Sequence, residues 1–349
     1  MAASRELLLT LASILVGLAA GALVLAAGGA DPLKGIYVLL TSFTYYPEIL
    51  LVGASITMLT GLAFAIPLRV GFFNIGGEGQ LYAGAIVSLM VSLVAPYTPF
   101  PGLLAGFTAG AILGFIAGFL RVRLGVNEVL STIMLNWAIY WTSTYLVIDV
   151  LADPIYPHLT RQVPEAARIP WIPSSLLGPL SEVLPGGVPI IPFISIAVAL
   201  AAWAAMYLTV PGLRYRFVGA NEYAALSRGV NVDYVKLASM TVAGGLSGLA
   251  GALLILGYSY RVDTGLSGLA GYGFEGIGAA LIGRNHPLGI IAASVFLGEL
   301  AAGSERIQVE ANVPAELAEV VSGAIIFVLA ALSGLKYVAP RLLGVKSEG

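Results

Sequence analysis

The chain contains no cysteine, only two histidines and very little charge. Across 349 residues, Asp, Glu, Lys and Arg together make up 10%, whereas soluble domains carry about 25%. Without cysteine there can be no disulfide, thiol nucleophile or thiolate metal site. His158 and His286 lie far apart, and neither has metal-ligand spacing around it. A net charge of −2 gives no electrostatic basis for nucleic-acid binding.

Motifs that mark catalytic or nucleotide-binding sites are also missing. The sequence has no Gly-x-x-x-x-Gly-Lys-Ser/Thr phosphate loop, no His-Glu-x-x-His and no Gly-x-Ser-x-Gly. We therefore expect a chain that is not an enzyme and that holds no metal or cofactor of its own.

Apolar residues dominate what is present. They make up 58% of the chain, and the mean hydropathy is +0.92, so we expect an all-α integral membrane protein. Runs near the ~20 residues that span a bilayer predict about ten transmembrane helices, at residues 7–29, 36–66, 80–97, 102–120, 126–148, 189–209, 236–257, 271–283, 288–303 and 316–335. The second of these runs, 36–66, contains Pro47, and the eighth, 271–283, is too short to cross a membrane alone.

The first run allows two interpretations. Arg5 in front of it and small residues at 26–30 resemble a signal peptide. The apolar stretch at 7–27 is longer than a signal core of about 7–15 residues, which favours a retained first helix.

Basic residues set the expected orientation, because they favour the cytoplasmic side in short loops. With the N-terminus inside, twelve of the 17 Lys and Arg residues face the cytoplasm. The other five would lie outside: Lys34, Arg161, Arg168, Arg261 and Arg306. This pattern predicts a multi-pass plasma-membrane protein with both termini cytoplasmic.

Two loops stand out in that topology. The external loop at 149–188 carries seven prolines, which disfavour regular helix. A loop of this length is often functional, so it is either a lid or landing surface for an external partner or a solvated connector. The cytoplasmic loop at 210–236 is polar and charged.

Residues 215–236 of the cytoplasmic loop resemble a docking handle for a separate motor. Asn221 is a good N-cap for a short helix, and Gly229 suits the C′ position after it. Asp233 is expected to cap the next membrane helix. The alternative is an ordinary amphipathic surface loop.

Two glycine-broken, acid-containing stretches, at 71–84 and 271–283, align when Glu78 is placed on Glu275. In the expected topology they lie at opposite sides of the membrane, as inverted repeats at approximately 36–148 and 236–335 would require. The interpretation is a single transmembrane domain, 1–349, with broken helices along a transport pathway.

Glycine stripes favour close helix packing inside the chain over a subunit interface. They are Gly106, Gly110, Gly114 and Gly118 in one segment and Gly244, Gly248 and Gly251 in another.

Carboxylates at membrane depth are costly, and they tend to be functional or paired. Glu78 and Glu275 each stand at an expected helix start, where capping the helix is the alternative role. The candidates for contact with a polar, ring-bearing solute are Asn74, Glu78, Gln80, Asn136, Trp137 and Glu275.

Three motifs together resemble the permease subunits of bacterial and archaeal ABC importers, in the branched-chain amino acid and simple-sugar permease superfamily. Residues 73–80 (Phe-Asn-Ile-Gly-Gly-Glu-Gly-Gln) and 127–136 (Asn-Glu-Val-Leu-Ser-Thr-Ile-Met-Leu-Asn) are similar to its nucleoside-type group, which works with basic-membrane-protein-like lipoproteins. Residues 219–230 resemble its coupling segment, although Leu226 and Ser227 depart from the Ala-Ala-Arg that the family tends to have there.

The resemblance implies a ten-helix permease with the inverted-repeat architecture, paired with a second permease, and the family pattern favours a homologue. Two cytoplasmic ATPases, which would bind ATP and magnesium, and an external binding lipoprotein would complete the importer. Nucleosides are the expected cargo and simple sugars the next. The residues implied in coupling to the ATPase are Gly219, Asn221, Glu222, Ala224, Ala225, Arg228 and Gly229.

Two other functions stay open from the sequence. An ion-coupled secondary transporter of a small polar solute could use Glu78 or Glu275. A membrane enzyme using intramembrane carboxylates is disfavoured by the scarcity of histidine, the absence of cysteine and the missing catalytic motifs.

Overall fold

The computed structural model describes residues 2–264, 271–311 and 313–342, and these are mostly helical. Two short strands pair antiparallel, with Trp171 opposite Pro189. The strands are β1 (Trp171–Ile172) and β2 (Val188–Pro189). The helices are α1 (Ala2–Ala27), α2 (Pro32–Leu40), α3 (Pro47–Leu68), α4 (Gly77–Val94), α5 (Phe100–Leu124), α6 (Glu128–Tyr145), α7 (Ile191–Leu208), α8 (Val210–Ala220), α9 (Glu222–Ser227), α10 (Val232–Leu254), α11 (Tyr272–Ile282), α12 (Pro287–Glu310) and α13 (Ala315–Leu342).

The second predicted segment, 36–66, is two helices rather than one. α2 ends at Leu40, a 3₁₀ turn follows at Ser42–Thr44, and α3 begins at Pro47. Proline suits the first turn of a helix but not its interior, where its ring clashes with the preceding turn. The uniform hydropathy of the segment hides this break.

Six helices are long and apolar enough to cross a membrane, within the described residues. α11 and residues 12–27 of α1 are apolar but shorter. Each of the ten predicted segments overlaps a helix, but a count of ten spans goes beyond these six. The six are Pro47–Leu68, Gly77–Val94, Phe100–Leu124, Ile191–Leu208, Val232–Ser259 and Pro287–Glu310.

The chain forms two compact units, residues 1–50 with 296–349 and residues 51–295. In the first unit, α1 packs against α13. There Glu299 accepts hydrogen bonds from the N–H groups of Ser42 (2.8 Å) and Phe43 (3.1 Å), and Arg306 lies 3.6 Å from the centre of the Tyr45 ring.

The core of the second unit is built from α4, α5 and α10, which touch through glycines. A Cβ atom at Gly110 would overlap the carbonyl oxygen of Gly244, and one at Gly84 would overlap that of Gly248. The internal packing predicted from the glycine stripes is therefore confirmed.

The loop at 149–188 folds onto the end of α10 and the residues that follow it. The indole N–H of Trp171 donates to the carbonyl of Gly257 (2.8 Å), and the N–H of Ile169 donates to that of Leu256 (2.8 Å). Arg261 pairs with Asp153 at 3.3 Å. These contacts favour a folded loop over a solvated connector, and its role as a landing surface stays a prediction.

Candidate functional site

The predicted docking handle forms two short helices, α8 and α9, between the membrane helices α7 and α10. The Asn221 side chain accepts from the N–H of Ala224 (3.0 Å), so it caps α9 as predicted. Gly229 has φ +76°, and its N–H donates to the carbonyl of Leu226 (2.9 Å). This is the glycine C′ position that the sequence indicated.

The cap of α10 is Asn231, which corrects the prediction of Asp233. The Asn231 side chain accepts from the N–H of Tyr234 (3.0 Å), and its backbone is extended, whereas Asp233 lies in the first helical turn. Both residues suit a cap chemically, and the backbone conformation selects the earlier one.

Coupling residues differ in exposure. Ala225 is buried, while Gly219, Asn221, Glu222 and Arg228 are exposed. α9 thus presents an outer surface that is mixed, with Tyr223 and Leu226 exposed beside Glu222, and it is anchored through the small apolar residue Ala225. Ala224 is half-buried and Gly229 is exposed.

Lys236 of α10 joins α9 to the first broken segment. Its ammonium group lies 2.8 Å from the carboxylate of Glu222 and 5.3 Å from the centre of the Phe72 ring. Phe72 packs in a buried cluster with Ala117 of α5 and Met240 of α10.

α8 is attached to the end of α3 by one side chain, and Arg69 joins that end to two other elements. The buried Tyr215 hydroxyl donates to the carbonyl of Ile66. Arg69 donates to the hydroxyl of Tyr207 (2.7 Å) and to the carbonyl of Asn285 (3.1 Å). The end of α7 and the turn between α11 and α12 therefore meet the end of α3 at Arg69.

Burial sets the protonation of two groups at this junction. It raises the pKa of Tyr215 well above its ordinary value, so the phenol stays a hydrogen-bond donor. Burial and the nearby Arg69 lower the pKa of His286, which favours the neutral imidazole. His286 lies against the ring of Tyr207, with centroids 5.2 Å apart.

The first broken segment, residues 71–84, leads from α3 into α4, and polar side chains of this segment and of α6 hold it in place. Asn74 and Gln80 exchange two hydrogen bonds, at 2.9 and 3.0 Å. Asn136 of α6 accepts from the N–H of Gly79 (2.9 Å) and donates to the carbonyl of Ile75 (2.9 Å). These side chains satisfy backbone groups that the break in the helix leaves free.

Glu78 links this segment to the second broken segment. Its side chain is fully buried, and its two oxygens accept from the N–H groups of Gly271 (3.0 Å) and Gly273 (2.5 Å) at the start of α11. Glu78 therefore caps α11 rather than its own helix, and α4 and α11 meet at their N-terminal ends.

The remaining predicted pathway residues lie differently. The carboxylate of Glu275, in the first turn of α11, lies 3.3 Å from the hydroxyl of Thr57 on α3. Trp137 of α6 is exposed and stacks edge-on with Tyr140. The structure thus gathers Asn74, Gln80 and Asn136 around one turn and places Trp137 away from it.

A small cleft opens beside the first broken segment, and its empty space is no more than about 160 Å³ even when open solvent is included. Binding pockets for small molecules usually measure about 300–1,000 Å³, so this conformation has no room for a nucleoside there. The cleft is lined by Gly76, Gly79, Gln80, Leu113, Thr132, Leu135 and Asn136.

Sequence reasoning missed the residues that connect the predicted sites, namely Lys236, Phe72, Arg69 and Tyr215. Lys236 could have been identified from the sequence, because it is a charged residue one turn inside an apolar helix. Aromatic and basic residues at helix ends are common in membrane proteins, so the other three had no distinguishing signal.

Comparison with known proteins extends over most of the chain. Residues 46–330 match the model of a family described as branched-chain amino acid transport system, permease component. No solved structure matches.

Several relatives are similar along almost their whole length. The guanosine ABC transporter permease protein NupP of Bacillus subtilis is 32% identical, covering 97% of each chain. The glucose ABC transporter permease protein TsgB13 of Haloferax volcanii is 32% identical over 91% of this chain and 85% of its own. The nucleoside ABC transporter permease protein NupB of Lactococcus lactis is 30% identical over 99% and 96%.

Proposed function

We propose a nucleoside-import role for this chain, which belongs to the family of permease components of branched-chain amino acid transport systems. It is a membrane permease subunit of an ABC transporter. Nucleosides are the proposed cargo because two relatives named for guanosine and nucleoside transport match nearly full length. Simple sugars are the second candidate, since a relative named for glucose is equally similar.

The architecture proposed is ten transmembrane helices with inverted repeats at about 36–148 and 236–335. The meeting of α4 and α11 at their N-terminal ends supports it, because inverted repeats place equivalent half-helices in opposite directions. Both termini would be cytoplasmic, and the external loop at 149–188 would receive a substrate-binding lipoprotein.

The coupling surface proposed is residues 219–229, which would contact a cytoplasmic ATPase. Its support is the capped, outward-facing α9 together with two attachments to the membrane helices, the ion pair of Glu222 with Lys236 and the hydrogen bond from Tyr215 of α8 to the end of α3. A capped helix held by such attachments moves as a body, which is what transmission of force requires. ATP and magnesium would bind in the partner and not in this chain.

The pathway proposed runs past the two broken segments, near Glu78, Gln80 and Glu275. Broken helices at matching positions of two repeats mark transport sites in membrane proteins. Since Asn74, Gln80 and Asn136 already satisfy one another and the backbone, cargo would reach them only in another conformation. A second permease subunit, a homologue, would complete the pathway.

The observation that carries this proposal is the nearly full-length similarity to ABC permeases, combined with the capped α9. The test is copurification of the tagged chain from native membranes, followed by uptake of radiolabelled guanosine and glucose into proteoliposomes. An ATPase and a second permease in the eluate, with ATP-dependent guanosine uptake, are expected. If the chain alone takes up guanosine, and if an uncoupler abolishes that uptake, the protein is instead an ion-coupled transporter.

A further inference from the structure

Lys236 touches both the proposed coupling helix and the first broken segment. It stands in the second turn of α10, where its ammonium group meets Glu222 on one side and the ring of Phe72 on the other. The two contacts belong to elements that the proposed function assigns to coupling and to the pathway.

Phe72 is placed to pass a displacement on to the rest of the broken segment. It is 3% exposed and lies two residues before Asn74, whose side chain holds Gln80. Its ring packs on Met240, one helical turn after Lys236 on the same face of α10. Movement of Phe72 against α10 would therefore shift the turn at residues 74–80.

The two contacts of Lys236 differ in environment. Glu222 is 47% exposed at its side chain, so solvent weakens the ion pair. The Lys236 side chain is 15% exposed, and Phe72 is buried, so the contact between cation and ring is sheltered and correspondingly stronger. The weaker contact is the one that a partner binding at α9 could break.

We propose that Lys236 is a positioning residue that couples α9 to the broken segment at 71–80, by sharing its charge between Glu222 and the ring of Phe72. The proposal rests on the coupling role proposed for residues 219–229. When α9 moves, Glu222 moves with it and shifts the ammonium group of Lys236. Because the ring of Phe72 is attracted to that ammonium group, the ring shifts as well. A simple clamp between α9 and α10 would need only the ion pair.

The experiment uses the complete transporter in proteoliposomes and measures guanosine imported per ATP hydrolysed. Lys236→Gln and Phe72→Leu are each expected to lower this ratio by about three- to thirtyfold, the span of cation–π contacts from exposed to desolvated sites. Lys236→Arg keeps a cation that bonds carboxylates and stacks on rings, and it should retain the ratio of the unaltered transporter.

The charge-reversed pair Glu222→Lys with Lys236→Glu separates the proposal from a clamp. It restores an ion pair between α9 and α10 but places an anion against the face of Phe72, so the ratio should stay low. Recovery of the ratio in this double variant, or an unchanged ratio in Phe72→Leu, overturns the proposal and leaves a clamp.

Controls separate loss of coupling from loss of folding. Leu253→Met conserves volume at a buried position farther along α10, and Lys34→Gln removes an exposed lysine elsewhere; both should behave as the unaltered chain. If Lys236→Gln fails to assemble, Phe72→Leu decides, since it keeps the lysine and its ion pair. If no ATPase copurifies with the unaltered chain, both the proposed function and this inference are wrong. If an ATPase copurifies but the variants import as much guanosine per ATP as the unaltered transporter, only this inference is wrong.

Discussion

Replacing Glu78 with glutamine tests whether this side chain holds the start of α11. The carboxylate is fully buried and accepts two backbone N–H groups, from Gly271 and Gly273. Glutamine is almost the same size, but it offers one acceptor oxygen and turns an NH₂ donor toward the other N–H. One charge-assisted hydrogen bond is lost and one backbone donor is left unsatisfied.

The magnitude follows from the number of bonds lost. A hydrogen bond to a charged group contributes about 1.5–3 kcal/mol, so the substitution destabilises the start of α11 by roughly 2 kcal/mol. At about 1.4 kcal/mol for each factor of ten, the locally open population of this helix end rises by about 30-fold. Glu78→Ala removes both bonds and should have a larger effect.

Hydrogen exchange followed by mass spectrometry on the purified chain measures this opening directly, because exchange reports local unfolding free energies. Peptides at 271–283 are expected to exchange about 30-fold faster in the glutamine variant, while peptides from α5 keep their rates. Glu128→Gln is the matched control, since Glu128 is also buried in a first helical turn but pairs with Arg121. Equal exchange at 271–276 in the Glu78 variant and the unaltered chain would refute the cross-cap.

Three further outcomes are expected. Gly110→Ala should lower thermal stability by about 1–3 kcal/mol, because its methyl group meets the backbone of α10, whereas Gly323→Ala, with open space around it, should not. Gly229→Pro, at φ +76°, should leave ATP hydrolysis running without transport; unchanged coupling in proteoliposomes would count against the docking role. A backbone hydrogen bond and Arg261 lower the pKa of Asp153, so its stabilisation holds above its ordinary pKa and is lost as pH falls through the lowered one; melting curves of Asp153→Asn should lack that acid-induced loss.

The elements that could be read from the sequence are those set by local signals. Asn221 and Gly229 bracket α9 because a capping side chain and a left-handed residue act on their nearest neighbours. The sequence predicts Asp233 as the cap of α10, and this prediction is wrong because Asn231, an equally suitable residue two positions earlier, has the extended backbone of a cap.

Partners distant in sequence could not be read in this way. The sequence identifies Glu78 as a helix-start carboxylate, yet the first N–H group that it accepts, that of Gly271, lies 193 residues further along the chain. Nothing in the local pattern distinguishes capping its own helix from capping another one. The same holds for Lys236, whose two contacts come from separate elements. Local chemistry identifies such residues as candidates, and only the fold supplies their partners.

The glycine contacts between α4, α5 and α10 also restrict how this chain can evolve. Where a Cβ atom would overlap a neighbouring backbone, no other amino acid is an acceptable replacement, and no compensating change in a side chain can make room. Positions 84, 110, 244 and 248 should therefore be invariant among close homologues and should show no covariation. Substitutions that change cargo preference would therefore accumulate outside the glycine contacts between α4, α5 and α10.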